Sequence, residues 1–158
     1  MDLILWRHAE AIAADENLLD AERPLTSKGQ RQAKRMGEWL NRVLPENTRV
    51  LSSPALRATQ TADALERRYK RVAGLSPDGT VDHLLAEARW PLSKEVVLVV
   101  GHQPMLGLTA AYLMGATQLS ADEPWRLKKG AIWWMRSKTD ADGRTVVTTV
   151  AVRSPELL

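Results

Sequence analysis

The stretch Leu3-Ile4-Leu5-Trp6-Arg7-His8 decides the fold of this 158-residue chain. Its four consecutive apolar residues predict a short strand that is buried on both faces, as strands are in parallel sheets covered by helices. The strand runs directly into Arg7 and His8. Open α/β sheets bind ligands at the carboxyl ends of their strands, so we expect these two side chains to face a ligand site.

Two segments distant in the sequence supply a second imidazole and a second guanidinium. Val96 to Val100 is the clearest strand in the sequence, and it leads into Gly101-His102-Gln103-Pro104. Arg57 lies in Ser52-Ser53-Pro54-Ala55-Leu56-Arg57, where a helix is predicted just after a short strand. Two imidazoles and two guanidiniums gathered at one sheet edge would form a pocket for a phosphoryl group.

Strands and helices alternate along most of the chain, and a terminal hairpin follows. This order predicts one α/β domain over residues 1–158, a three-layer αβα sandwich with a mostly parallel central sheet and an antiparallel edge. The predicted elements are strands at 2–7, 49–51, 72–73 and 96–100, a helix capped by Thr26 or Ser27, a helix after Pro54 with Ala58, Ala62, Leu65 and Tyr69 on one face, short helices at 81–88 and 104–114, and hairpin strands at 132–136 and 144–152.

Composition limits the classes of function. The absence of cysteine excludes disulfides and thiol chemistry and is consistent with a cytoplasmic protein. No apolar run is long enough for a signal peptide or a membrane span, so no membrane partner is expected. The net charge of +3 lies largely on predicted helix faces, without the dense basic stripe of a nucleic-acid-binding protein. We interpret these faces as solvated, with docking of an acidic or phosphorylated partner as the alternative.

Four motifs occur in order, and together they resemble one family. They are Leu5-Trp6-Arg7-His8-Ala9-Glu10-Ala11, Arg23-Pro24-Leu25-Thr26-Ser27-Lys28-Gly29, Ser52-Ser53-Pro54 through Thr61-Ala62, and Gly101-His102-Gln103-Pro104. The set resembles the histidine phosphatase superfamily, which is related to phosphoglycerate mutases, over residues 1–136. The short length and the second motif are most similar to its SixA-type phosphohistidine phosphatase branch. The resemblance implies a phosphoglycerate mutase-like fold and a covalent phosphohistidine intermediate.

The chemistry of the residues agrees with that implication. A neutral imidazole can attack phosphorus, which makes His8 the candidate nucleophile. Arg7 and Arg57 would bind the phosphoryl oxygens, and His102 would donate to them as charge develops. The resemblance assigns the same roles to these four residues. Ser53 is a weaker candidate for substrate contact, because a turn before a helix explains it equally well.

No cofactor or metal is expected, because the three histidines lack a close carboxylate or cysteine partner. The sequence offers three candidates for the residue that donates a proton to the leaving group, namely His83, Glu10 and Glu87, and does not choose between them. Because no residue stands out as the general acid that would protonate the leaving group, phosphohistidine is the favoured substrate: imidazole leaves phosphorus more readily than an alkoxide does. The predicted function is therefore a metal-independent phosphatase that acts on a phosphohistidine-bearing protein. The alternatives are a general phosphomonoesterase for small phosphorylated substrates and a non-catalytic phosphate-binding module.

Overall fold

The computed structural model describes residues 1–158 as a six-stranded sheet with helices on both faces. The strands are β1 (Asp2–Arg7), β2 (Arg49–Ser52), β3 (Lys70–Arg71), β4 (Val97–Gly101), β5 (Ile132–Thr139) and β6 (Thr145–Arg153). The α-helices are α1 (Ser27–Val43), α2 (Leu56–Asp63), α3 (Val81–Ala88) and α4 (Met105–Leu113). Three 3-10 turns lie at Asp20–Glu22, Ala73–Leu75 and Pro155–Leu157. No helix has the length and apolar character that crossing a membrane requires.

The sheet is parallel on one side and antiparallel on the other. Its strand order is β3-β2-β4-β1-β5-β6; β5 runs antiparallel to both of its neighbours, and the other five strands share one direction. β1 and β4 are parallel neighbours in which Arg7 lies opposite Gly101. His8 directly follows β1 and His102 directly follows β4, so the two histidines lie side by side at the carboxyl ends of these strands. The predicted mixed sheet with an antiparallel edge is confirmed.

Side chains of the central strands alternate between two hydrophobic clusters. Leu3 and Leu5 pack with residues of α3 and α4, whereas Ile4 and Trp6 pack with residues of α1 and α2. All four are fully buried. Complete burial of such side chains is worth about 1.5–3 kcal/mol each. The two clusters make the molecule the three-layer αβα sandwich that the sequence predicts.

The prediction for α2 was wrong in length. The helix ends at Asp63, so Leu65 and Tyr69 lie beyond it. Leu65 is still 1% exposed and continues the helical spacing of apolar residues, but Glu66 takes a left-handed φ of 54° and turns the chain away. The small strand consequently lies at Lys70–Arg71 rather than at 72–73. The basic residues after position 66, expected on a helix face, belong to this turn and edge strand.

Candidate active site

The four residues singled out from the sequence line one cavity at the carboxyl ends of β1 and β4. The cavity holds about 210 Å³, below the range typical of sites for drug-sized ligands. Its lining residues are Arg7, His8, Ala11, Arg23, Arg57, Pro77, His102, Gln103 and Lys129. The fold thus brings Arg7, His8, Arg57 and His102 together. Arg23, Gln103 and Lys129 were not predicted as site residues.

The backbone fixes the orientation of His8. The side chain is 7% exposed, and its Nδ1 lies 2.8 Å from the carbonyl oxygen of Ala9. Because a carbonyl only accepts, Nδ1 carries the proton and Nε2 keeps a free lone pair. Burial and the charges of nearby guanidiniums, Arg57 foremost, lower the pKa of His8 to about 4, although the Ala9 bond opposes the shift. The imidazole is therefore neutral at pH 7.

His102 lies beside His8, with ring centroids 5.1 Å apart and ring planes tilted by 54°. It is 2% exposed, and its Nε2 lies 2.7 Å from Oγ of Ser53. Burial, with smaller contributions from His8 and Arg57, lowers the pKa of His102 to about 3. Ser53 is fully buried behind this ring and is not part of the cavity lining. The structure thus places Ser53 against His102, not where a substrate contact was considered.

Arg57 is held by Asp20 from the loop before α1. The guanidinium lies in the first turn of α2 and is almost fully buried. Its Nη1 donates to the carbonyl oxygen of Asp20 at 2.8 Å, and its Nη2 donates to Oδ2 of Asp20 at 3.1 Å. Oδ1 of the same carboxylate accepts from Nε of Arg23 at 3.0 Å. One carboxylate therefore bridges two guanidiniums that line the cavity.

Asp20 remains ionised in this arrangement. Partial burial opposes the charge, but hydrogen bonds from Arg57 and Arg23 lower the pKa of Asp20 below its ordinary value. An ionised carboxylate has no proton to donate at neutral pH. Asp20 contacts the arginines that line the cavity, yet it is not a candidate for the general acid that would protonate a leaving group.

The chain segment before β5 supports Arg7. Nη1 of Arg7 donates to the carbonyl oxygen of Leu127 at 2.9 Å, and Nε1 of Trp6 donates to the carbonyl oxygen of Gly130 at 3.0 Å. The Gly130 N–H in turn lies 3.1 Å from the carbonyl oxygens of both Arg7 and His8. Gly130 has a φ of +77°, a left-handed conformation that glycine adopts without strain. These contacts place Lys129 on the cavity wall.

None of the three candidate proton donors lines the cavity. The carboxylate of Glu10 accepts from Oγ1 of Thr26 at 2.9 Å, at the start of α1. His83 is exposed on α3. Glu87 also lies on α3, and its carbonyl accepts from Arg49, which opens β2 at the opposite end of the sheet from the cavity.

Sequence reasoning missed Asp20, Arg23 and Lys129 because nothing in their surroundings is periodic. The second motif contained Arg23, and Asp20 lies three positions before it, a spacing that lets the two side chains meet across one turn. That spacing was the available signal. Lys129 lies in a polar stretch whose path depends on Arg7 and Trp6.

The charges around the cavity suit a phosphoryl group. Three guanidiniums and one ammonium face two neutral imidazoles, and no carboxylate is among the lining residues. Arginines supply permanently charged, fork-shaped donors that match phosphate oxygens. No group of three or more His, Asp or Glu side chains is arranged to hold a metal ion. The site can therefore present a neutral nitrogen nucleophile beside fixed positive charge.

Comparisons with known proteins agree on one family. The model of the histidine phosphatase superfamily, branch 1, matches residues 3–78. Phosphohistidine phosphatase SixA of Escherichia coli is 33% identical over 121 residues, which cover 72% of this chain and 74% of SixA. A structure of the protein histidine phosphatase SixA complexed with tungstate superposes with a TM-score of 0.78 at 27% identity, covering 99% of both chains. The alpha-ribazole phosphatase of Shigella flexneri shares the fold, with a TM-score of 0.65 at 21% identity and 98% and 97% coverage.

The chain therefore belongs to the histidine phosphatase superfamily. It is a phosphatase of the SixA-like branch, and thus a hydrolase. The family, the branch and the α/β fold predicted from the sequence are confirmed.

Proposed function

We propose that the protein hydrolyses phosphohistidine on a partner protein through a covalent intermediate on His8. One observation carries the proposal: the cavity combines a neutral imidazole and three guanidiniums with no carboxylic acid. Such a site binds and transfers a phosphoryl group well but offers little help to a leaving group that needs a proton. Phosphohistidine is a substrate that does not need that help.

In the first step, Nε2 of His8 attacks phosphorus in line with the substrate nitrogen. The new P–N bond forms as the substrate's P–N bond breaks, and the electron pair returns to the substrate ring. That ring, already protonated on its other nitrogen, leaves as neutral imidazole. The intermediate on His8 is the same kind of species, because Nδ1 keeps its proton on the carbonyl of Ala9.

In the second step, water attacks phosphorus and the bond to Nε2 breaks. Both protons of the water go to the phosphate, and His8 returns to its neutral state. Arg7 and Arg57 bind the phosphoryl oxygens throughout, and His102 donates to them as their charge grows. The proposed reaction needs neither a cofactor nor a metal, because the guanidiniums supply the counter-charge.

The leaving group favours phosphohistidine over alkyl phosphates. An alkoxide needs a proton as its bond to phosphorus breaks, and positioned acid catalysis is worth about 10²–10⁴-fold. His83, Glu10 and Glu87 lie outside the cavity lining, and Asp20 is held ionised. An uncatalysed alkoxide departure would therefore be slow by a factor of that order.

The surroundings of the cavity suit a substrate presented by a protein. Only 38 residues separate Arg57 from Val96, and of these Pro77 alone reaches the cavity lining. A small cavity without a large lid can accept a side chain that projects from a folded partner. The printed name of the E. coli relative, phosphohistidine phosphatase, supports the same substrate class.

A general phosphomonoesterase is the second candidate. The shared fold of an alpha-ribazole phosphatase favours it, as do Arg23 and Lys129, which could bind a further anionic group of a small substrate. The discriminating experiment compares kcat/KM for a phosphohistidine protein, an aryl phosphate and a set of sugar phosphates. We expect the sugar phosphates to be about 10²–10⁴-fold poorer. Equal efficiency on sugar phosphates would favour the phosphomonoesterase, and binding of inorganic phosphate without turnover of any substrate would favour a binding module.

A further inference from the structure

A buried hydrogen bond behind the cavity controls which nitrogen of His102 carries the proton. Oγ of Ser53 lies 2.7 Å from Nε2 of His102, and both residues are almost completely buried. The same Oγ accepts from the backbone N–H of Ala55 at 3.2 Å. The other ring nitrogen, Nδ1, is buried and has no partner within the protein.

The hydroxyl of Ser53 can donate a single hydrogen bond, and it can accept others through its two lone pairs. Ala55 occupies one of its lone pairs, and Nε2 of His102 is the remaining polar atom in contact with Oγ. Either tautomer leaves one buried proton without an acceptor in the protein: the Ser53 hydroxyl proton if Nε2 is protonated, or the Nδ1–H if Nδ1 is protonated. Only the Nδ1–H can gain an acceptor when a phosphoryl group occupies the cavity that His102 lines, and buried donors are rarely left unpaired. The hydroxyl therefore donates to Nε2. A neutral imidazole that accepts at Nε2 must be protonated at Nδ1.

We infer that Ser53 is a positioning residue that holds His102 in the Nδ1–H tautomer, so that the cavity-lining ring presents a donor to the phosphoryl group. The functional part of this inference rests on the proposed function of His102. The burial that keeps His102 neutral at pH 7 is what makes the tautomer matter. A neutral ring has a single N–H, and the opposite tautomer would turn a lone pair toward the phosphoryl oxygens and repel them.

The two site histidines then share a tautomer but offer opposite atoms. Ala9 fixes the proton of His8 on Nδ1 and leaves the Nε2 lone pair for attack. Ser53 occupies Nε2 of His102 and leaves Nδ1–H as the free group. One ring is thus prepared as a nucleophile and the other as a donor, although neither is charged.

The direct test is a long-range ¹H–¹⁵N spectrum of the histidine rings at pH 7, using the uniformly labelled 158-residue protein. The chain has only three histidines, and His83→Gln removes the exposed one from the spectrum. We expect His102 to show a protonated Nδ1 and an unprotonated Nε2. A protonated Nε2 in the wild-type protein would overturn the inference without bearing on the substrate.

The second test compares Ser53→Ala with Ser52→Ala. Ser52 is an equally buried neighbour whose hydroxyl bonds to the Ser53 carbonyl rather than to a histidine, so it is a matched control. Ser53→Ala should shift His102 toward the Nε2–H tautomer and lower kcat about tenfold or more with little change in KM. Ser52→Ala should retain the wild-type tautomer. A folded Ser53→Ala protein with wild-type kcat, or equal losses in both variants, would refute the positioning role.

Tungstate affinity separates this inference from the proposed function. Ser53→Ala should weaken competitive inhibition by tungstate whichever phosphorylated substrate is used for the assay. If phosphohistidine proves a poor substrate while this effect appears, the substrate proposal fails and the role of Ser53 stands. Unchanged tungstate inhibition in a folded Ser53→Ala protein counts against Ser53 alone.

Discussion

Asp20 and Arg57 are joined by two hydrogen bonds, one to the aspartate carbonyl at 2.8 Å and one to its carboxylate at 3.1 Å. The arginine that we expect to bind phosphate is thus already paired with an anion of the protein's own. The Asp20 side chain is 58% exposed, so it can leave Arg57 at little cost. A phosphoryl group that reaches Arg57 and Arg23 would compete with this carboxylate.

Asp20→Asn should therefore tighten the binding of inorganic phosphate and tungstate. The carboxylate of the pair is exposed to solvent, and removing the charge of such a group is worth about 0.2–1 kcal/mol, so inhibition constants should fall by roughly one and a half- to fivefold. Competitive inhibition assays give the measurement. Glu22→Gln, an exposed carboxylate of the same 3-10 turn, is the control and should change little. Weaker inhibition of Asp20→Asn would mean that Asp20 orients Arg57 rather than competing with phosphate.

A covalent phosphoenzyme should form on His8. Rapid quenching with labelled substrate, without acid, should trap an acid-labile and base-stable species, because phosphohistidine has those properties. His8→Ala should abolish both the trapped label and turnover. His83→Ala, which removes an exposed histidine outside the cavity, should keep both. Wild-type turnover of His8→Ala would show that another group is the nucleophile.

Arg57→Ala should lower kcat/KM and weaken inhibition by vanadate or tungstate together. The lost hydrogen bonds to a charged group are worth about 1.5–3 kcal/mol, roughly ten- to a hundredfold. Arg57→Lys should recover only part of the loss, because an ammonium restores charge without the two-pronged geometry. Arg42→Ala, on the exposed face of α1, provides the control. If vanadate inhibits Arg57→Ala as strongly as the wild type, Arg57 does not contact the phosphoryl group.

Stability should decrease as the pH falls from 6.5 toward 4. Unfolded histidines take up protons near pH 6.5, whereas burial lowers the folded pKa of His8 to about 4 and that of His102 to about 3. The unfolded state thus binds more protons in this window, and each buried imidazole costs up to about 1.4 kcal/mol per pH unit. Urea unfolding at pH 5 and pH 7 measures the difference.

His8→Gln should unfold with a shallower pH dependence than the wild type, while His83→Gln should keep the wild-type slope. Identical slopes for all three proteins would mean that the site histidines titrate normally. The acidic limb of kcat/KM should likewise lie below pH 5, because protonation of the histidine pair stops the reaction.

Activity should survive metal removal. The guanidiniums of Arg7, Arg23 and Arg57 place permanent positive charge around the cavity, so we expect wild-type rates after dialysis against EDTA. Rates before and after addition of Mg²⁺ or Zn²⁺ provide the measurement. Loss of activity in EDTA that a divalent ion restores would contradict the proposed mechanism.

The two site histidines were predictable because their positions follow from the order of the strands. His8 and His102 each end a strongly apolar run, and parallel neighbours in a buried sheet bring such ends together. Arg57 was predicted instead from its place in the Ser52-to-Ala62 motif, which resembles that of the family. The positions of His8 and His102 depend on burial patterns, which the sequence displays directly.

The other features of the fold and the site depend on individual contacts that produce no recognisable pattern in the sequence. The loop over residues 9–25 is polar, and its course is set by single bonds such as Nη1 of Arg23 to the carbonyl of Ile12 at 2.8 Å. Asp20 therefore could not be placed beside Arg57. The burial of Leu65 extended the apparent helix because an apolar spacing records which residues are covered, not how the backbone covers them. The role of Ser53 required knowing which side of the His102 ring it meets.

The bond from Arg7 to the carbonyl of Leu127 spans 120 positions of the chain. β1 precedes both of its sheet neighbours, β4 and β5, by about 90 residues or more, so they are synthesised much later than β1. A nascent chain that ends at residue 100 contains His8 and Arg57 but lacks His102 and the segment that supports Arg7. During translation the cavity can therefore form only after the segment around Leu127 and Gly130 has been made.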